Sequence, residues 1–370
     1  MTKAGGGAPA APDIPIPAVW DELNPQWLTA AISASHPGVR VDDVEVLLVD
    51  DGTNRRARIG VTYAEGDGPS TFFLKASDPD HAEISARSGG LLGEPLLFRS
   101  GVDLPIEHPA VHCALVDEPA LSYVMVMEDV FGTGGETRDA TRPLTPAQAA
   151  DGVAGLAALH ARFWGHRLSG TPGLGFVEPF AAWFDMARGI DAGTDRLGDL
   201  VPAAVSGLGG EAIDATWRRY VAGVAGGPTT LIHGDAHIGN TYTRPGDRLG
   251  FLDWQVVHSG DHCLDLGYFL QGALTVEDRR THEDALLEHY LDSLALPDDE
   301  VPDRNDVWLR YRASAAHGLT LWLATAASNW QRPEVSAALS ERYAVAFCDL
   351  ETPAAAAALQ SGIETGGAKK

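Results

Sequence analysis

The sequence predicts an α+β chain in two unequal lobes, a small antiparallel β-sheet followed by a larger, mainly helical body. Three observations carry this. Runs of β-type residues between positions 44 and 76 are separated by short Gly- and Asp-containing turns. Beyond Thr145 apolar residues recur at helical spacing. The stretch 229–257 departs from that spacing and again reads as short strands. A chain of 370 residues is long enough to bury a sizeable core in each part.

The first strand is VEVLLV (44–49), ended by the turn Asp50-Asp51-Gly52-Thr53-Asn54. RARIGVTY (56–63) then alternates, with Ala57, Ile59, Val61 and Tyr63 on one face and Arg56, Arg58 and Thr62 on the other. GDGP (66–69) turns the chain into TFFLKA (71–76), the third strand of a meander. A helical stretch follows, interrupted at Gly89-Gly90, with Glu94 and Phe98 one turn apart. AVHCALV (110–116) and LSYVMVM (121–127) complete the β-rich part. LTPAQAADGVAGLAALHARFWG opens on a Thr-Pro helix start and keeps its period through Val153, Leu156, Leu159 and Phe163. TYTRPGDRLGFLDW reads as a hairpin across the Pro-Gly-Asp turn. The expected organisation is a flexible tail over 1–17, an N-terminal lobe over 18–128, a hinge over 129–136, a helical lobe over 137–360 and a second flexible tail over 361–370.

Composition bounds the function. A formal charge of -24 argues against nucleic-acid binding, because phosphates would be repelled. No apolar run approaches the ~20 residues of a membrane helix. The first residues, MTKAGGGAPAAPDIPIP, place Gly and Pro where a signal peptide needs an apolar stretch. Cys113, Cys263 and Cys348 are widely spaced with no CxxC pair, which fits a reducing cytoplasm. Lysine occurs only at positions 3, 75, 369 and 370, so Lys75 is the sole lysine outside the tails. Ammonium and guanidinium groups differ in shape and hydration, and at Lys75 the chain keeps the compact one.

The chemistry concentrates in LIHGDAHIGNTY (231–242) and the hairpin after it. Asp235 precedes Asn240 by five positions, and the hairpin brings Asp253 back beside them. A carboxylate and an amide oxygen suit Mg2+, which takes hard oxygen ligands. A further carboxylate ahead of them can accept a proton from a hydroxyl. This order resembles the protein-kinase catalytic loop, in which H-R-D-x-x-x-x-N is followed by D-F-G. The variant carried by His233, Asp235, Asn240 and Asp253 resembles the aminoglycoside phosphotransferase and choline kinase superfamily. HGDAHIGNTY, GFLDWQ and DLGYFL look closest to its ecdysteroid-kinase-like branch. The resemblance runs over roughly 40–350 and is motif-specific near 231–270.

That resemblance implies a bilobal protein-kinase-like fold and an ATP- and Mg2+-dependent phosphotransferase acting on the hydroxyl of a small molecule. Asp235 would be the base, with Asn240 and Asp253 holding metal. Lys75 would hold the ATP phosphates, braced by Glu94, with Glu83 as the second candidate. Backbone groups of Met127, Glu128, Asp129 and Val130 would meet the adenine. His233 would shape the loop and Asp265 brace it, although Asp265 also reads as a helix N-cap. The N-terminal lobe would then bind nucleotide, and the helical lobe would carry the acceptor site, where Trp322 and Trp330 are candidates for stacking. The chain departs from the protein-kinase pattern in two places. Gly52, Thr53 and Asn54 stand where a G-x-G-x-x-G loop is expected, and Trp254-Gln255 replaces Phe-Gly. No GxxxxGK[ST] motif is present. Two other readings are a catalytically inactive nucleotide-binding protein and a zinc or two-metal hydrolase built on His233, Asp235, His237 and Asp253. Oligomeric state is not legible.

Overall fold

The computed structural model describes residues 12–50, 52–82, 91–165, 186–225 and 227–367. Glu83, the Gly89-Gly90 interruption and Asp51 lie outside the described residues, as do the ends 1–11 and 368–370.

The meander forms as its alternation requires. Strands β1 (Arg40–Val49), β2 (Asn54–Glu65) and β3 (Thr71–Ser77) pair antiparallel, and β4 (Val111–Asp117) with β5 (Ser122–Glu128) completes a sheet of order β1-β2-β3-β5-β4. On one face Ala57, Ile59, Val61, Phe72, Leu74 and Ala76 bury against Trp27, Leu28 and Ile32 of helix α1 (Pro25–Ile32). The Ile, Val, Leu and Phe side chains of this set contribute roughly 1.5–3 kcal/mol each when fully buried. Asn24 caps α1 by accepting from the Trp27 N–H. The register puts Arg56 opposite Lys75, Arg58 opposite Phe73 and Lys75 opposite Met125, so these residues share the other face. Helix α2 (Gly93–Arg99) packs on that side, with Phe98 against the cluster of Leu91, Tyr123, Met125 and Met127. Strand β1 begins at Arg40, before the expected Val44, because pairing with β2 extends to Arg40 and Val41 across an irregularity at Asp42.

A separate, larger core holds the helical part together. Helix α3 (Pro146–Arg162) starts on a capping box between Thr145 and Gln148 and buries Val153, Leu156 and Leu159. After α4 (Ala187–Leu197), α5 (Ala203–Ser206) and α6 (Gly210–Val224) come the short strands that position the candidate site. These are β7 (Thr230–Ile232), β8 (Thr241–Arg244), β9 (Arg248–Phe251) and β10 (His258–Gly260), joined by β6 (Glu136–Thr137), which lies before α3 in the chain. The hairpin β8–β9 turns through Gly246 and Asp247, both at positive φ, and β6 pairs with β8. Strand β10 pairs with β7 and leads into α7 (His262–Ala273). Helices α8 (Val276–Ser293), α9 (Arg304–Ala326), α10 (Pro333–Asp349) and α11 (Thr352–Gly367) close the core.

Two of the tail expectations are corrected. Ile14 and Ile16 pack on the sheet core, and Pro15 accepts from the Trp27 indole at 2.8 Å. At the other end α11 runs through 361–367, helical where a loose tail was expected. No helix among the described residues is long and apolar enough to cross a membrane.

Candidate active site

The loop between β7 and β8 is held by its own backbone amides. Asp265, on the first turn of α7, accepts from the His233 N–H at 2.7 Å and the Gly234 N–H at 2.9 Å. The imidazole of His160 stands 3.3 Å from the same carboxylate. Burial works to raise the Asp265 pKa, but these donors prevail and hold it below the usual carboxylate range. The alternative reading of Asp265 as an N-cap is corrected: Asp261 caps α7 through the Cys263 N–H. His233 is neutral, since burial lowers its pKa, and its tautomer follows from its partners. Nδ1 accepts from the Asp235 N–H at 3.2 Å, so Nε2 carries the proton and donates to the Leu252 carbonyl at 3.0 Å. Gly234 has φ +83, and a Cβ there would stand 2.5 Å from the Val256 carbonyl, so only glycine fits the turn.

Asn240 donates from Nδ2 to the Asp235 backbone oxygen and to its Oδ2, each at 2.9 Å. The amide is thereby fixed, with Oδ1 left as a hard oxygen donor. The Asp235 side chain keeps 27% of its surface exposed. Burial and the nearby charge of Asp253 push its pKa up to about 8, against the hydrogen bonds from Asn240 and Tyr268. His237 lies 3.7 Å away, and burial lowers its pKa to about 4, so it places no positive charge there.

Asp253 follows β9 at φ +62, a left-handed conformation that is uncommon for a residue with a Cβ. Its Oδ1 lies 2.6 Å from Lys75 Nζ, and the same ammonium lies 2.5 Å from Glu94 Oε2. Glu94 accepts in addition from the Trp254 N–H at 3.1 Å. Lys75 is 4% exposed. Burial alone would lower the Lys75 pKa, but the carboxylates of Asp253 and Glu94 more than offset that and raise it. Burial likewise works to raise the Asp253 pKa, and Lys75 brings it below the usual carboxylate value. The structure therefore joins Lys75 of β3, Glu94 of α2 and Asp253 of the hairpin, across 178 positions of sequence between the lysine and the aspartate.

Around the other expected contacts most polar side chains are engaged within the fold. The Asn54 side chain is committed to the fold, donating to Gln255 Oε1 at 2.9 Å and accepting from the Tyr123 hydroxyl at 2.8 Å. The Gly52 N–H closes its own turn on the Asn54 carbonyl at 3.0 Å, and Thr53 is exposed at the tip. At 127–130, Met127 lies on the cleft face opposite Phe73. The Glu128 carboxylate is taken by Arg244, Thr133 and the Ala110 N–H, and buried Asp129 by Arg58. The Val130 carbonyl accepts from the Gly135 N–H. Trp322 is buried, donates to the Tyr268 hydroxyl at 3.0 Å and packs edge-on to His237, so it braces the site rather than offering a stacking face. Trp330 is 86% exposed. Sequence reasoning missed Tyr268, which reads as one more apolar position of α7, and Arg244, which ties Glu107 to Glu128.

Metal readings separate on donor chemistry. Asn240 Oδ1 and the Asp253 carboxylate are hard oxygens of the kind that fit Mg2+. His237 spends Nδ1 on the Gly239 N–H, and among the described residues no group of three or more His, Cys, Asp or Glu side chains is placed to hold a metal. The zinc reading has no ligand set there.

The solved structures that this chain is similar to are distant. Choline kinase LicA from Streptococcus pneumoniae is 15% identical, over 88% of this chain and 98% of that one, with a TM-score of 0.43. For ethanolamine kinase from Plasmodium vivax the figures are 12%, 82%, 81% and 0.45. For macrolide 2'-phosphotransferase MphH from Brachybacterium faecium they are 18%, 83%, 95% and 0.40. No curated protein matches the sequence. The family model described as phosphotransferase enzyme family (APH) matches residues 97–307, a span that includes Asp235, Asn240, Asp253 and Asp265 and begins after Lys75 and Glu94. Since that span is more than half of the 370 residues, the chain belongs to the phosphotransferase enzyme family.

Proposed function

We propose that this phosphotransferase is an ATP- and Mg2+-dependent kinase acting on the hydroxyl of a small molecule, in the ecdysteroid-kinase-like branch of its family. The observation that carries the reading is the meeting of Lys75, Glu94 and Asp253 beside an Asp235 that Asn240 holds in place. Residues 18–128 would form the nucleotide-binding lobe, 129–136 the hinge and 137–360 the lobe with the acceptor site. Backbone groups of Met127 to Val130 would meet the adenine, since the side chains of Glu128 and Asp129 are engaged elsewhere.

Lys75 would exchange Asp253 for nucleotide phosphates while Glu94 keeps the ammonium in place. Asp235 would orient the acceptor hydroxyl and take its proton. Asn240 and Asp253 would hold Mg2+, which when bound neutralises charge on the transferred phosphoryl group. His233 and Asp265 keep the loop in register. Catalysis of this kind is mainly positioning and charge neutralisation.

The test is ADP release from ATP across a library of aminoglycosides, choline-like amines, sugars and steroid-like alcohols. Asp235→Asn should keep ATP binding and lose most turnover on whichever acceptor responds, by about 10²–10⁴-fold for a lost general base. A variant with near-normal turnover removes Asp235 from the mechanism. ATP binding with no phosphorylated product from any acceptor would select the inactive nucleotide-binding reading instead.

A further inference from the structure

Arg56 stands directly opposite Lys75 in the β2–β3 register. Opposed residues of an antiparallel pair share a face, so guanidinium and ammonium rise on the same side of the sheet. Ala57, the next residue, points the other way into the buried core. The Arg56 side chain runs back over the turn at 50–54. Its Nε donates to the Asp50 carbonyl at 2.8 Å and its Nη2 lies 3.1 Å from Asp50 Oδ2. A Cβ on Gly52 would come within 3.1 Å of that same nitrogen. The guanidinium therefore covers the turn that stands where a glycine-rich phosphate loop was expected. It is also close enough to Asp253 for its charge to help keep that carboxylate ionised.

Charge adds a second reason. Around Lys75 the site holds the carboxylates of Glu94 and Asp253, so a triphosphate meets two acidic side chains against one ammonium there. A guanidinium beside Lys75 shifts that balance, and its planar fork matches two phosphate oxygens at once. Asp50, a partner that it holds now, is 65% exposed, and exposed ion pairs are weak enough to exchange.

Resting on the kinase reading, we propose that Arg56 is a phosphate-binding residue of the nucleotide site, trading Asp50 for phosphate oxygens of the nucleotide beside Lys75. Arg56 then supplies by a side chain part of what the absent glycine-rich loop would supply by backbone amides.

Calorimetric titration of the full chain with MgATP and with adenosine tests this, using wild type, Arg56→Gln, Arg56→Lys and Asp50→Asn, with thermal melting as a fold control. Arg56→Gln should weaken MgATP about ten- to a hundredfold, the scale of one lost charge-assisted hydrogen bond, and leave adenosine unchanged. Arg56→Lys should recover part of the loss. Asp50→Asn should bind MgATP at least as tightly as wild type, because it weakens the ion pair that competes with phosphate and keeps the guanidinium itself. If Arg56 only braced the turn, Asp50→Asn, which loses the ion pair on that turn, would weaken MgATP as well, and that result overturns the proposal. So does Arg56→Gln with wild-type MgATP affinity while wild type binds both ligands. A wild type that binds neither ligand overturns the kinase reading itself, and this proposal with it.

Discussion

Lys75→Arg keeps the charge and changes only the shape of the cation, which makes it the sharpest probe of the cleft. Lys75 Nζ sits 2.5 Å from Glu94 and 2.6 Å from Asp253, 4% exposed, beside the fully buried Met125. Contacts that short leave no slack for a wider, planar head. Overpacking of this kind costs about 1–3 kcal/mol, which a domain with ~5–15 kcal/mol of stability survives. The catalytic loss is larger, since a misplacement of ~1 Å in positioned groups costs about a hundredfold in rate. A surface lysine would behave differently, with a shift within ~0.5 kcal/mol and no change in turnover. Lys75→Met supplies the contrast: leaving the Glu94 and Asp253 carboxylates unpaired costs about 3–5 kcal/mol, so melting falls together with activity. The assay is steady-state ADP release with thermal melting on the same samples. A well-folded Lys75→Arg protein with normal turnover would refute the reasoning and remove Lys75 from the nucleotide site.

Asp253→Ala should weaken MgATP far more than it weakens adenosine, because it removes a metal oxygen and leaves Lys75 with Glu94 alone; calorimetry showing unchanged MgATP affinity places the metal elsewhere. In metal-free protein burial pushes the Asp235 pKa up to about 8 from the ordinary carboxylate range of about 4, so its protonation stabilises the fold fully below about 4, and that stability is lost as pH rises toward 8. Asp235→Asn cannot ionise, so its melting temperature should match wild type near pH 4 and exceed it increasingly up to pH 8; parallel curves would refute the raised value.

Much of the site was legible because it is local. The Asp235–Asn240 spacing describes one loop, and the Pro-Gly-Asp turn dictates that Asp253 returns to it. Lys75 was legible for a compositional reason, the absence of other lysines from the body of the chain. What stayed hidden depends on pairing across sequence. Alternation in β2 assigned Arg56 to a face but not to Lys75, since only the β2–β3 register opposes them. Asn54 looked like a turn residue because its partners, Tyr123 and Gln255, lie 69 and 201 positions away. The chain of His160, Tyr290 and His262 behind Asp265 is likewise built from three different helices. At the C-terminus Gly and Thr suggested a loose tail, whereas the alanine run at 354–358 propagates a helix through them.

The two cleft aspartates show how one buried setting produces opposite behaviour. Burial raises the pKa of both carboxyls. Asp253 has an ammonium at 2.6 Å and stays ionised, whereas Asp235 has only the neutral donors Asn240 and Tyr268 and feels the charge of Asp253 as well. Environments that push two carboxyl groups apart in this way separate an acid–base group from a fixed charge. A carboxyl titrating near pH 8 is a poor proton acceptor at neutrality until the charge on Asp253 is compensated. If Asp235 is the base of the proposed reaction, its strength would be tied to occupancy of the Asn240 and Asp253 oxygens. On that reading a filled cleft would favour the ionised carboxylate, and an empty one would keep Asp235 protonated and unable to deprotonate an acceptor hydroxyl.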